Sequence, residues 1–192
     1  SSLVTFQMND DGSGANVYIS LVRSNWTSLS NVFEQYGGIV TGLWQGNDIG
    51  SGLFLDCSHS MWSISEGTVS ESSLLYVQMI GDGAANNTQA MFNGVQVVID
   101  RVVVDDSSVL FFIDVAALYG GHFLNMSLSN MHMLVSLSSF SSFSSIVGLQ
   151  IVGNNAGNGV FHCAEDWTGT IDNTSFVDNS GVVFANFDSV NG

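Results

Sequence analysis

Proline is absent from all 192 residues, where ordinary usage of about 5% would place roughly ten. A fold in which nearly every backbone N–H joins a sheet ladder excludes proline in this way. Lysine is absent too. Arg23 and Arg101 are the only basic residues, against 17 acidic ones, for a formal charge of -15. That balance argues against nucleic acid or an anionic membrane surface as partner, because both need a basic face. No run approaches the roughly 18 apolar residues of a membrane helix; the longest, from Val109 to Ile113, stops at Asp114. Membrane insertion is not expected. No secretory leader is visible, which leaves a mature chain, a cytosolic chain or a fragment. Charged residues are scarce at 10%, yet hydrophobic ones make up 45%, so the low charge density does not signal disorder.

What is present is repetition. Val102-Val-Val-Asp-Asp-Ser-Ser-Val-Leu-Phe-Phe112 is an apolar run, a small polar turn and a second apolar run. Leu149-Gln-Ile-Val-Gly-Asn-Asn-Ala-Gly-Asn-Gly-Val-Phe161 and Thr174-Ser-Phe-Val-Asp-Asn-Ser-Gly-Val-Val-Phe184 follow the same plan. Asn and Asp beside Gly or Ser supply turn geometry, and Val, Ile and Phe supply strands. The N-terminal half carries weaker copies. Asn9-Asp-Asp-Gly-Ser-Gly and Asn47-Asp-Ile-Gly-Ser-Gly match, and Glu71-Ser-Ser-Leu-Leu-Tyr76 parallels Asp106-Ser-Ser-Val-Leu-Phe111. Self-similarity on this scale means stacked repeats. The expected fold is all-β, a single right-handed parallel β-helix (a solenoid) over residues 1–192. An antiparallel β-sandwich is the alternative, because alternating strands and turns suit it as well.

The first apolar residues after each turn are Val17, Leu53, Leu74, Val109, Leu134, Val160 and Val182, spaced 36, 21, 35, 25, 26 and 22. Spacings of 21–26 suit one coil, which predicts about seven coils with loop insertions near 23–38 and 81–89. A second column supports that register. Asp82, Asp105, Asn130, Asn154 and Asn179 recur every 23–25 residues, as a side-chain ladder at one turn would. Ile80, Val103, Leu128, Val152 and Val177 run beside it and are expected to face the core. The Ser-rich stretch from Ser136 to Ser145 reads as a bend between two strands. On this register Cys57 and Cys163 lie four coils apart, roughly 19 Å at about 4.8 Å per coil. That is too far for a disulfide, whose Cα atoms must lie within about 7 Å.

Phe176-Val-Asp-Asn179 followed by Gly181-Val-Val-Phe184, with the variant Ile151-Val-Gly-Asn154, resembles the repeats of right-handed β-helix proteins. These include adhesin-like surface proteins and the pectin-lyase-like superfamily. The resemblance covers the last 90 or so residues and implies work outside the cell or on its surface. Asp105-Asp106 with Gly120-Gly-His122 looks like the paired-Asp and Gly-His-Gly motifs of polygalacturonase-type glycoside hydrolases, where carboxylates act as acid and base. That resemblance implies Asp105, Asp106 and His122 as candidate catalytic residues. The family's Asn-Thr-Asp and Arg-x-Lys motifs are missing, however, and no basic residue follows Arg101. A turn role for Asp105 and Asp106 is the competing reading.

Other chemistry is sparse. No cofactor motif is present. A structural calcium ion is the one cofactor to test for, with Asp82, Asp105 and Asp106 as oxygen donors at turns. His59, His122, His132 and His162 are too scattered for a zinc site. Threonine is too sparse for an ice-binding ladder. Asn25-Trp-Thr, Asn86-Asn-Thr, Asn125-Met-Ser and Asn173-Thr-Ser are N-glycosylation sequons. The functional expectation is a structural or adhesive extracellular glycoprotein that self-associates end to end into a filament or surface assembly. The alternative is a carbohydrate-active β-helix enzyme or a carbohydrate-binding module.

Overall fold

The computed structural model describes residues 2–10, 16–35, 38–49, 51–116, 125–153 and 161–188. Among them there is no helix, and every strand pairing is parallel. The chain is therefore a parallel β-solenoid, and the sandwich is excluded. Each coil contributes one strand to each of four sheets, and each sheet runs along the stack.

The first sheet stacks Ser2–Met8, Gly38–Gln45, Leu75–Ile80, Val109–Ala116, Ser145–Val152 and Gly181–Asp188. The second stacks Tyr18–Ser20, Phe54–Asp56, Gln89–Met91, Asn125–Ser129 and Phe161–Glu165. The third stacks Asn25–Leu29, Met61–Ser65, Gln96–Asp100, His132–Ser136 and Thr168–Asp172. The fourth stacks Val32–Phe33, Thr68–Ser70, Val103–Asp105, Ser139–Phe140 and Ser175–Phe176. Thr5 lies beside Thr41, Thr41 beside Tyr76, Tyr76 beside Phe112 and Phe112 beside Gly148, so the steps are 36, 35, 36 and 36 residues.

This corrects the expected coil. The solenoid has fewer and longer coils than seven, because one coil passes through four sheets and takes 35 or 36 residues to do so. The spacing of 36 from Val17 to Leu53, read from sequence as a coil with an insertion, is the coil itself; Leu74 to Val109, at 35, falls one residue short of the register that pairs Leu75 with Phe111. The described residues of 23–38 and 81–89 hold strands and corners, and the paired strands on either side step by 35 or 36 residues. The 23–25-residue columns fail for the same reason, since such a step covers about two thirds of a coil and lands on a different corner each time. Asp82 sits after the first-sheet strand, Asp105 ends a fourth-sheet strand, Asn130 follows a second-sheet strand and Asn179 precedes a first-sheet strand. They form no ladder, and Asn154 lies outside the described residues. Ile80 pairs with Ala116, Val103 with Ser139 and Leu128 with Ala164. Val103 and Val177 face solvent, at 46% and 50% exposure.

The core follows from strand alternation, which sends every second side chain inward. In the third sheet the inner columns are Trp26, Trp62, Val97, Met133 and Ser28, Ile64, Ile99, Val135. Trp26 and Trp62 stack with ring centroids 5.5 Å apart. Their indole N–H groups are satisfied by the same local device one coil apart. Trp26 Nε1 donates to Ser24 Oγ and Trp62 Nε1 to Ser60 Oγ, each at 2.8 Å. In the first sheet the inner residues include Leu75, Phe111, Val147 and Trp44, Met79, Val115, Ile151. Cys57 is buried and free. Burial and, secondarily, the charge of Asp56 hold its thiol far above the ordinary range. The strand of Cys163 lies three places along the second sheet from the Phe54–Asp56 strand that ends beside Cys57, rather than four coils away.

Corners turn through left-handed residues that recur coil after coil. Between the second and third sheets these are Arg23, His59, Gly94, Asn130 and Asp166, with φ of 55, 56, 66, 52 and 53°. Between the third and fourth they are Ser30, Glu66, Arg101, Leu137 and Asn173, at 53, 55, 53, 49 and 46°. The Ser-rich stretch holds such a bend, with Ser142 and Phe143 left-handed before the strand Ser145–Val152.

Trp44 fits only because Gly42 leaves its ring room: a Cβ on Gly42 would come within 2.1 Å of a Trp44 ring carbon. Gly42→Ala overpacks the core and should cost about 1–3 kcal/mol. Urea unfolding reads this as a lower midpoint with an unchanged m-value.

Candidate functional site

The corner between the fourth and first sheets carries most of the candidate chemistry. In three coils it turns through two consecutive left-handed residues: Asp106 and Ser107, Ser142 and Phe143, Asp178 and Asn179. One coil is a residue shorter there. Val69 pairs with Val104 at a 35-residue step, while Leu75 pairs with Phe111 at 36. The short corner keeps a single left-handed residue, Glu71. It is recessed relative to the next corner, and the two leave a notch of about 260 Å³. Glu71, Ser72 and Ser73 of the short corner, Asp106 and Ser107 of the long one, and the rings of Tyr76 and Phe112 line it.

Tyr76 and Phe112 stack across adjacent strands, with centroids 5.6 Å apart and planes at 25°. Tyr76 hydroxyl donates to Asp114 Oδ2 at 3.4 Å, and Gln78 Nε2 donates to the same oxygen at 2.9 Å. Ser72 is 5% exposed, and its buried Oγ has no hydrogen-bond partner. A buried hydroxyl without a partner carries a desolvation penalty of about 1–3 kcal/mol.

Asp105 and Asp106 play different parts. Asp105 accepts from the Ser141 hydroxyl and the Asp106 N–H, both at 2.8 Å. Hydrogen bonds from the Ser142 hydroxyl, the Ser141 hydroxyl and the Asp106 N–H hold its carboxyl below the ordinary range. This carboxylate is committed to its own corner and to the coil above. Asp106 accepts from the Ser70 hydroxyl at 2.9 Å and faces the notch. His122 lies outside the described residues, so the expected Asp105–Asp106–His122 constellation is described only at its two aspartates.

Asp82 does not join these two carboxylates. It lies at the other end of the first-sheet strand, where its N–H donates to Asn47 Oδ1 at 3.3 Å. Among the described residues no group of three or more His, Cys, Asp and Glu could hold a metal ion. His132 faces the Thr168 hydroxyl, and His59 is an exposed corner residue. Of the sequons, Asn25, Asn125 and Asn173 are exposed. Asn86 is half-buried, and the hydroxyl-bearing Thr88 of its sequon is only 2% exposed.

Sequence reasoning paired Glu71–Tyr76 with Asp106–Phe111 but missed the notch. That match, at 35 residues, carries the fourth-sheet step (Val69 to Val104) into the first sheet, where Tyr76 in fact pairs with Phe112 at 36. Compared with family models, with curated proteins and with solved structures, the chain matches none.

The hydrogen bonds at Asp105 carry a pH dependence. A depressed carboxyl contributes stability that is present above its unfolded-state pKa and is lost as pH falls through the lower folded value. Carboxyl carbon chemical shifts should show Asp105 titrating below the ordinary aspartate value, and Ser141→Ala should move it upward.

Proposed function

We propose that this chain is a structural or adhesive surface protein whose coils stack end to end into an extracellular assembly. The observation that carries this reading is that the outermost described coils leave apolar columns open, a surface that further coils in the same register would cover. Ile171 and Val183 occupy inner columns whose other members are closed: Ile99 and Val135 are 0% exposed, Phe111 4% and Val147 3%. Ile171 and Val183 themselves are 47% and 51% exposed. At the opposite face Trp26 and Phe33 are only partly buried and border a cavity of about 840 Å³. Among the described residues the edge strands of these faces pair on one side only, and an open strand edge templates pairing with another chain. A second copy in the same 36-residue register covers both the apolar columns and the edges. Head-to-tail contact of this kind does not close, so it propagates. The charge of -15 opposes sideways bundling of such stacks. The reading follows the adhesin-like branch of the β-helix resemblance rather than the pectin-lyase-like one.

Light scattering and electron microscopy across a concentration series test it. The chain should form linear particles, and Ile171→Asp with Val183→Asp should return it to a dispersed monomer with its strand circular dichroism intact. A parent chain that stays monomeric throughout the series rules the assembly out.

Glycans on the outer faces would reinforce the separation of stacks. Expressed through a eukaryotic secretory route, Asn25, Asn125 and Asn173 should carry more glycan than Asn86, whose sequon threonine is buried. Site-by-site mass spectrometry of occupancy checks the order.

A further inference from the structure

We infer that the notch at the short corner is a binding subsite for a neutral sugar ring. The inference stands apart from the assembly reading, since the notch lies on the side of the stack, between two coils. Its parts match what a pyranose presents. A sugar ring has an apolar C–H face and an edge of hydroxyls. Tyr76 and Phe112 offer stacked aromatic surface for the face. Glu71 and Asp106 offer carboxylate acceptors for hydroxyl donors, and charge-assisted bonds of this sort are the stronger kind. Aromatic surface with a few convergent polar groups is the usual make-up of a ligand site. At about 260 Å³ the notch suits a single ring rather than a long chain held end to end.

Charge selects among sugars. The charged side chains lining the notch are both acidic, and no basic residue lines it. Arg101 lies at a different corner, tied to Glu66 at 2.8 Å and Asp100 at 3.0 Å. A uronate or sulfated sugar therefore meets two carboxylates and no cation. The site differs from a metal centre as well, because two carboxylates without further donors do not close a coordination shell.

The deletion is what makes the site. The corner on the following coil keeps both of its left-handed residues, Asp106 and Ser107. The discriminating variant inserts one serine between Glu71 and Ser72, restoring the 36-residue coil and filling the notch while leaving every lining side chain in the sequence.

The test titrates the full chain, labelled with ¹⁵N, with cellohexaose, xylohexaose, maltohexaose and mannohexaose, and with trigalacturonate as the anionic control. Expected is saturable binding of at least one neutral oligosaccharide, with amide shifts confined to 70–76 and 105–112. Tyr76→Ala and Phe112→Ala should each weaken it about tenfold, and trigalacturonate should bind weaker still at low salt. The serine-insertion variant should keep its circular dichroism and thermal midpoint and lose the binding. The proposal is overturned if none of the four neutral sugars shifts these amides, if the shifts fall elsewhere, if trigalacturonate binds as tightly, or if the insertion variant binds unchanged.

Discussion

The structure depends on one interaction repeated at nearly every residue: a backbone N–H of one coil donating to a carbonyl of the next. The ladder does not stop where the strands stop. At the corners the N–H groups of Arg23, His59, Gly94 and Asn130 donate to carbonyls one coil on, as do those of Ser30, Glu66, Arg101 and Leu137. Two demands follow. Every corner residue must keep its N–H, and one or two per corner must adopt positive φ. Proline meets neither demand, since it lacks the N–H and its ring fixes φ near −65°. Left-handed backbone costs an ordinary L-residue roughly 1–2 kcal/mol, least where Asn or Asp can hydrogen-bond locally. Asn16, Asp48, Asn87, Asp106, Asn130, Asp166, Asn173, Asp178 and Asn179 take such positions. The missing proline and the Asn/Asp-rich turns are thus two consequences of one ladder.

A ladder continuous through the corners makes coil length rigid. A residue lost in one coil shifts everything after it, unless the loss is absorbed where the chain already bends. Here the step changes from 35 to 36 within the corner after Ser70, and all four sheets stay in phase. The absorbed residue is one of two left-handed positions, so the strands on either side are unaffected. What changes is the outline of the coil. A uniform solenoid has grooves only between its columns; a recess comes from unequal neighbours.

This also explains which parts of the fold were legible in the sequence. Strand and turn chemistry were plain, because Val-Val-Val, Asp-Asp-Ser-Ser and Val-Leu-Phe-Phe announce themselves within 11 residues. The coil was harder. Its four corners use the same residue types, so a turn at one corner resembles a turn at the next. Thr174–Phe184 and Val102–Phe112 are true equivalents two coils apart, with the Ser-rich stretch between them as the middle copy. Leu149–Phe161 looks the same but runs from a first-sheet strand to a second-sheet strand. Rarer residues kept better time: Ser24-Asn-Trp26 and Ser60-Met-Trp62 repeat at 36, and an indole needing a hydroxyl two residues back tolerates no other offset. The notch was out of reach for a different reason. It arises from a difference between two corners, and neither is unusual alone.

The last thing to reconcile is how a chain with 17 acidic residues and two basic ones stacks its coils. Carboxylates piled in register would repel, as the expected Asn/Asp ladder would have required in part. The solenoid instead alternates acid with serine up its outer columns. Ser65, Asp100, Ser136 and Asp172 follow one another in the third sheet, and Ser70, then Asp105, end successive fourth-sheet strands, with Ser141 just beyond the next. Hydroxyls of one coil then donate to carboxylates of its neighbour: Ser136 to Asp100, Ser141 to Asp105, Ser70 to Asp106 and Ser30 to Glu66. At Asp105 and Asp106 these bonds serve in place of a counter-charge, while Glu66 and Asp100 also pair with Arg101. They also favour one coil-to-coil register: a slip of one residue would set Asp100 opposite Val135 or Leu137. Serine does here what lysine and arginine do on most protein surfaces, and the stack keeps its negative charge on the outside. The recessed corner breaks that alternation. With one residue gone, Glu71 and Asp106 share a gap lined also by Ser72, Ser73 and Ser107, Ser70 donates to Asp106 from the coil below, and carboxylate acceptors there face outward toward whatever hydroxyl arrives.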